Sequence, residues 1–199
     1  MLNLPNILSL LRIILIPVLM GLYFLPHASA AVWATIVFVV AALTDWLDGY
    51  LARKWDQTSP FGAFIDPVAD KLIVAVALVL VLYKTPVWFI LLPVVIIIGR
   101  EITVSALREW MAELGQRNVV KVSYVGKLKT TFQMVSIACL IFGKPLFGLP
   151  IFEIGIVLLY VAAGLTLSSM YSYLKAAWPE FSRVPDSEAS AQGNDTEQV

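Results

Sequence analysis

The sequence predicts an all-α integral membrane protein, a six-transmembrane-helix bundle with a short N-terminal interfacial segment and a disordered C-terminal tail. Three observations predict it. Of the 199 residues, 59% are hydrophobic and only 14% charged, where a soluble domain carries about 25% charged residues. Apolar runs long enough to cross a bilayer recur along the chain. Lysine and arginine collect on alternate connections between those runs, as the positive-inside rule requires. Residues 1–178 are read as one membrane domain and 179–199 as the tail. The formal net charge is zero, so nothing points to a nucleic-acid partner. The single cysteine, Cys139, sits in an apolar run and reads as an inert thiol with no disulfide framework or metal cluster.

Residues 1–6 are too short to span and read as a surface-lying lead-in, with Pro5 near the start of the first helix. The run 7–25 is the first span; it contains Arg12, and Pro17 is a bend. Ala28-Ser29-Ala30 resembles a signal-peptide cleavage site, but no Lys or Arg precedes the apolar core and Arg12 interrupts it, which disfavours that reading. His27, in the loop 26–30, reads as solvated and partnerless. The second span is 31–52. Ser59-Pro60 marks the start of the next helix, and the third span is 61–83. Lys71 either pairs with a carboxylate or phosphate or snorkels to the interface. The fourth segment, 87–114, is apolar to Ile98 and then continues as an amphipathic extension into water. The fifth span is 126–142 and the sixth 151–174. The tail is polar and poor in apolar residues, a disorder-prone composition.

Arg53, Lys54, Arg108, Arg117, Lys121, Lys127, Lys129, Lys175 and Arg183 fall on one predicted side. Lys84 and Lys144 fall on the other. This asymmetry places both termini, and the end of the second span, in the cytoplasm.

That end holds the most informative stretch. It reads D-W-L-D-G-Y-L-A-R from Asp45, then eight residues, then G-A-F-I-D-P-V-A-D to Asp70. Carboxylates at a membrane helix centre cost about 2.5–3.5 kcal/mol each, so four of them require an offsetting partner, and divalent cations are the natural candidate. Asp45, Asp48, Gly49, Ala52 and Arg53 share one helix face, and so do Gly62, Asp66 and Asp70. If the two helices return antiparallel, the carboxylates lie at matched depths. Hard cations such as Mg2+ prefer oxygen ligands and bridge to phosphates. A pair of them about 3.5–4 Å apart can clamp both oxygens of a phosphoryl displacement. Gly49, Ala52 and Gly62 would let a diphosphate approach the backbone, and Arg53 would fork onto it.

A second polar constellation lies on the same predicted side. Arg100 and Arg108 are two turns apart on one face, Glu101 and Ser105 are polar neighbours, and Lys127 begins the next helix. Such cations beside a metal-diphosphate site suggest an acceptor bearing its own phosphate. Lys129 and Arg117 read as topological charges facing anionic lipid.

The pattern D-x2-D-G-x2-A-R-x8-G-x3-D-x3-D resembles the signature of the CDP-alcohol phosphatidyltransferase family, with every fixed position present: Asp45, Asp48, Gly49, Ala52, Arg53, Gly62, Asp66 and Asp70. The resemblance implies a six-helix homodimeric membrane enzyme and CDP-diacylglycerol as donor. It implies two Mg2+ (or Mn2+) held by Asp45, Asp48, Asp66 and Asp70, with Asp70 as general-base candidate. Gly49, Ala52, Arg53 and Gly62 would line the nucleotide-diphosphate site. Asn6 and Arg12 would help hold the head group, with capping and interfacial anchoring as equal explanations. The stretches 99–115 and 122–135 are similar to bacterial members that use sn-glycerol 3-phosphate, which implies placement in the inner (cytoplasmic) membrane. Members with other acceptors share the signature. A cation transporter is the rival outside the family, disfavoured because no internal repeat is present and the carboxylates lie near one interface.

Overall fold

The structure, a computed structural model, describes residues 4–55, 60–113 and 124–181. It contains six helices in the order α1 (Leu4–Phe24), α2 (Ala30–Trp55), α3 (Pro60–Lys84), α4 (Trp88–Glu113), α5 (Tyr124–Phe142) and α6 (Ile151–Phe181). No strand is present among the described residues; Leu146 and Leu149 make an isolated antiparallel bridge. Each predicted span corresponds to one helix. Asn6–Phe24, Trp88–Glu113 and Ile151–Lys175 are long and apolar enough to cross a membrane. Ala30–Asp45 and Leu128–Phe142 are shorter apolar stretches.

Helix boundaries follow local chemistry. Pro60 opens α3, where the missing N–H costs nothing. Gly143, at φ 62°, ends α5 in the left-handed conformation that glycine tolerates best. The α5–α6 loop then turns tightly, with mutual Leu146–Leu149 backbone hydrogen bonds of 3.1 and 2.9 Å. Its central pair, Phe147 and Gly148, both have positive φ, as a two-residue hairpin turn demands.

Two boundaries differ from expectation. Residues 4–6 form the first turn of α1 instead of a separate interfacial lead-in, since Pro5 is compatible with an opening turn; the residues before Leu4 lie outside those described. Helix α6 continues past 174 to Phe181. Leu107 and Met111 of α4 pack on Ala177, with Trp110 and Tyr173 beside them, so the α4–α6 seam extends beyond the main core. The tail from residue 182 lies outside the described residues, as does the predicted cap Ser59.

The core joins all six helices through small and branched side chains, among them Ala34, Phe38, Ala77, Leu78, Ile97, Ile137, Leu159 and Ala162. Small residues permit the close approach by which membrane helices gain packing energy. Helices α5 and α6 cross closely. A Cβ at Gly155 would sit 3.0 Å from Cys139 Cβ and 3.0 Å from Leu140 Cγ, and the Ser136 hydroxyl donates to the Gly155 carbonyl at 2.7 Å. Cys139 is half-buried at this crossing. Large apolar side chains such as Ile14, Leu43, Val79, Val95 and Val157 face outward, as lipid contact requires.

The ends of the bundle differ. Phe24 and Tyr83 stack edge-on at 5.3 Å, Lys84 lies over the Tyr23 ring, and Trp88 is exposed nearby. These are the amphipathic rings of a membrane–water interface. Lys144 donates to the Ala28 carbonyl at 2.6 Å, tying two loops of this end together. His27 is exposed but does have a partner: its Nδ1 lies 2.7 Å from the Ser29 hydroxyl and accepts from the Ser29 amide. The acidic stretch lies at the opposite end.

Candidate active site

At that opposite end, α2 and α3 meet α4 and α5 around a cavity of about 540 Å³. Asp45 of α2 and Asp66 and Asp70 of α3 line one wall; Arg100 and Arg108 of α4 line the other. Lys71, Glu101, Ser105, Glu109, Thr130 and Gln133 complete the polar lining, and Pro67, Val74, Val104 and Met134 supply apolar surface. The two constellations read separately in the sequence therefore open onto one cavity.

The acidic wall is built on helix periodicity. Asp66 and Asp70, one turn apart, point the same way from α3. Helix α1 backs them. Its Asn6, Ser9 and Arg12 recur every third residue and are 2%, 0% and 0% exposed. The Ser9 hydroxyl donates to Asp66 Oδ1. Arg12 Nη1 lies 3.0 Å from Asp45 Oδ1 and also contacts Asp70 Oδ1. Two carboxylates thus share one guanidinium while the third is held by a neutral hydroxyl, and the wall retains surplus negative charge.

The basic wall runs from α4 to α5 and α6. Arg100 Nη1 pairs with its neighbour Glu101 at 3.2 Å, and Nη2 donates to the Ser169 hydroxyl at 3.1 Å. Lys129 pairs with the same Glu101. Arg108 donates to the Tyr173 hydroxyl at 3.2 Å. The guanidinium carbons of Arg100 and Arg108 stand 5.6 and 5.4 Å from the Tyr173 ring centroid, within cation–π range. One carboxylate here serves two buried cations, so this wall retains surplus positive charge.

Of the sequence-predicted residues, Asp45, Asp66, Asp70, Arg100 and Arg108 meet in the cavity. Gly62 is buried in the first turn of α3, and Asn6 is buried on α1. Asp48, Gly49, Ala52 and Arg53 lie in the last turns of α2, and Lys127 in the first turn of α5; their side chains lie outside the described residues. Lys129 corrects the sequence reading. It is 3% exposed and paired with Glu101, so it is an internal cation and not a lipid-facing topological charge. Arg117 lies outside the described residues. Lys71 lines the cavity.

Sequence reasoning missed Ser9, Ser169 and Tyr173. Their signal was present as polar residues at helical spacing inside apolar runs: Asn6-x2-Ser9-x2-Arg12, and Thr166, Ser169 and Tyr173 on one face of α6.

The donor set suits a hard divalent cation, since it is all carboxylate oxygen and carries negative charge beyond what Arg12 neutralises. Among the described residues no three ligating side chains converge on one point; Asp48, the fourth aspartate, is not among the described side chains.

Comparison with known proteins bears on the family. The sequence profile of the CDP-alcohol phosphatidyltransferase family matches residues 2–168. A protein of Salmonella choleraesuis (strain SC-B67) named CDP-diacylglycerol--glycerol-3-phosphate 3-phosphatidyltransferase is 51% identical over 175 residues, 88% of this chain and 94% of its own length. A protein of the same name from Yersinia enterocolitica is 51% identical over 179 residues, 90% of this chain and 97% of its own. Another, from Shigella flexneri serotype 5b, is 51% identical over 175 residues. With its signature intact from Asp45 to Asp70 and the profile matched over most of its length, this chain belongs to the CDP-alcohol phosphatidyltransferase family.

Proposed function

We infer that this protein transfers the phosphatidyl group of CDP-diacylglycerol to sn-glycerol 3-phosphate, giving phosphatidylglycerophosphate and CMP. The observation that carries this reading is the single cavity with an acidic wall facing a basic one. A metal-bound diphosphate belongs at the first and a phosphorylated acceptor at the second.

In the reaction the acceptor hydroxyl oxygen attacks the phosphorus attached to diacylglycerol. The new P–O bond forms as the bond to the CMP phosphate breaks, and the hydroxyl proton leaves. Positioning and electrostatics supply most of the catalysis in such transfers. Asp45, Asp48, Asp66 and Asp70 would hold two divalent cations, Mg2+ or Mn2+, which when bound supply charge neutralisation for the diphosphate and the departing CMP phosphate. Asp70 lines the acidic wall, and its carboxylate would orient the acceptor hydroxyl and accept its proton. Gly49, Ala52, Arg53 and Gly62 would line the path of the nucleotide diphosphate, with Asn6 behind them. Arg100, Arg108 and Lys127 would hold the acceptor phosphate, with Tyr173 keeping the two guanidinium groups in register.

The setting follows from the substrates. A lipid donor keeps its tails in the bilayer while its head meets a water-soluble acceptor, so the reading includes six spans, a cytoplasmic active site and termini, and an inner-membrane homodimer. The test is CMP release by the detergent-purified protein, with glycerol 3-phosphate, inositol phosphate, serine or phosphatidylglycerol as acceptor, with and without Mg2+. Metal-dependent release with glycerol 3-phosphate alone is expected. Release with a different acceptor would overturn the acceptor assignment. No release from folded protein, together with metal flux into sealed vesicles, would overturn the transferase reading.

A further inference from the structure

Helix α1 contributes nothing to the family signature, yet it touches every described aspartate of the acidic wall. Ser9 and Arg12 are both fully buried and sit on one face of the helix. Ser9 holds Asp66 by Oδ1; Arg12 holds Asp45 and Asp70, again by Oδ1. Asp70 Oδ1 is enclosed, while the Asp45 and Asp70 side chains are each still 38% exposed. Both carboxylates line the cavity, so one oxygen of each is fixed from behind and the rest of the group faces the site.

We propose that Ser9 and Arg12 are positioning residues that clamp one oxygen of each of Asp45, Asp66 and Asp70, and so aim the remaining oxygens at divalent cations in the cavity. Partners of this kind fix the orientation of metal ligands, and losing them typically weakens metal binding 10- to 100-fold. The inference rests on the metal reading of the aspartates given above.

The test uses substitutions that leave net charge constant, so that altered affinity reports geometry. Mn2+ binding to the purified full-length protein is measured by electron paramagnetic resonance, without substrates. Ser9→Ala is expected to weaken binding about tenfold, near the lower end of that range, and Ser9→Thr, which restores a hydroxyl, to recover it. Arg12→Lys keeps the cation but cannot fork across two carboxylates; a loss toward 100-fold is expected. Melting of the metal-free variants, followed separately, shows whether each is folded. If Arg12→Lys does not fold, the Ser9 pair decides alone. Affinities of Ser9→Ala and Arg12→Lys within twofold of the parent, or a Ser9→Ala loss that Ser9→Thr does not recover, would overturn the clamp while leaving the metal reading intact. A parent protein that binds no Mn2+ would overturn both.

Discussion

Replacing Arg108 by glutamine probes the acceptor assignment most directly. Arg108 is exposed and contacts the Tyr173 hydroxyl at 3.2 Å and the Tyr173 ring. Its removal strands no buried carboxylate, so the fold should survive. A hydrogen bond to a charged group contributes about 1.5–3 kcal/mol. Solvent exposure places Arg108 at the lower end, and about 1.5 kcal/mol is roughly tenfold in affinity. Arg100 is buried, and Glu101 keeps Lys129 when Arg100 is lost, so Arg100→Gln should sit at the upper end, about 100-fold. The assay is initial CMP release against glycerol 3-phosphate concentration, with CDP-diacylglycerol in excess in mixed micelles. Loss of binding common to ground and transition states raises KM at constant kcat, and that is the expected pattern for Arg108→Gln. Glycerol, which lacks the phosphate, serves as control: Arg108→Gln should not impair its weak use. A fall in kcat at unchanged KM, or equal losses with both acceptors, would refute the phosphate-binding role.

Glutamine at Glu101 leaves Lys129 and Arg100 without their shared carboxylate. Breaking a buried pair costs about 3–5 kcal/mol, and because the Glu101 side chain is 25% exposed the lower end is expected, read as a reduced thermal midpoint in detergent that Glu101→Gln/Lys129→Gln partly restores. Gly155→Ala places a methyl against Cys139 and Leu140. Overpacking of this kind costs about 1–3 kcal/mol, and an unchanged midpoint would mean that α5 and α6 separate freely. Chelation with EDTA should abolish CMP release, and Mg2+ or Mn2+ should restore it. Asp70→Asn should lower turnover about 100-fold or more; retained Mn2+ affinity would assign Asp70 to proton transfer, and lost affinity to ligation.

The helices were legible because each contains a long apolar run, and a run needs no tertiary information to be read. The aspartates were legible because their spacing carries both the helical period and a family signature. What escaped were the partners. Ser9 and Tyr173 carry common side chains in apolar helices, and only packing of α1 on α3, and of α6 on α4, gives them a role. Lys129 was misread for the same reason. A lysine near a predicted interface has a default explanation in topology, and Glu101, nearly thirty residues earlier, removes that explanation only once α4 and α5 are side by side. The added length of α6 was hidden because its long apolar run ends before Lys175, whereas the Leu107–Met111–Ala177 contact holds the last turns in place.

Charge balance separates a structural origin for this cavity from a functional one. Buried ionic groups that serve only stability are expected to neutralise one another locally, because an uncompensated charge in a low-dielectric setting is costly. Neither wall does so among the described side chains. Even with Arg12 and Lys71 counted, Asp45, Asp66 and Asp70 leave an excess of negative charge, and even with Glu101 and Glu109 counted, Arg100, Arg108 and Lys129 leave an excess of positive charge. The two excesses face each other across one cavity instead of closing into ion pairs, because α3 and α4 hold them on opposite sides. Divalent cations complement the first and a phosphate the second. A phosphorylated acceptor and a metal-bound diphosphate would together complete the electrostatics that the chain leaves open, which ties substrate choice to the same charges that hold the site together.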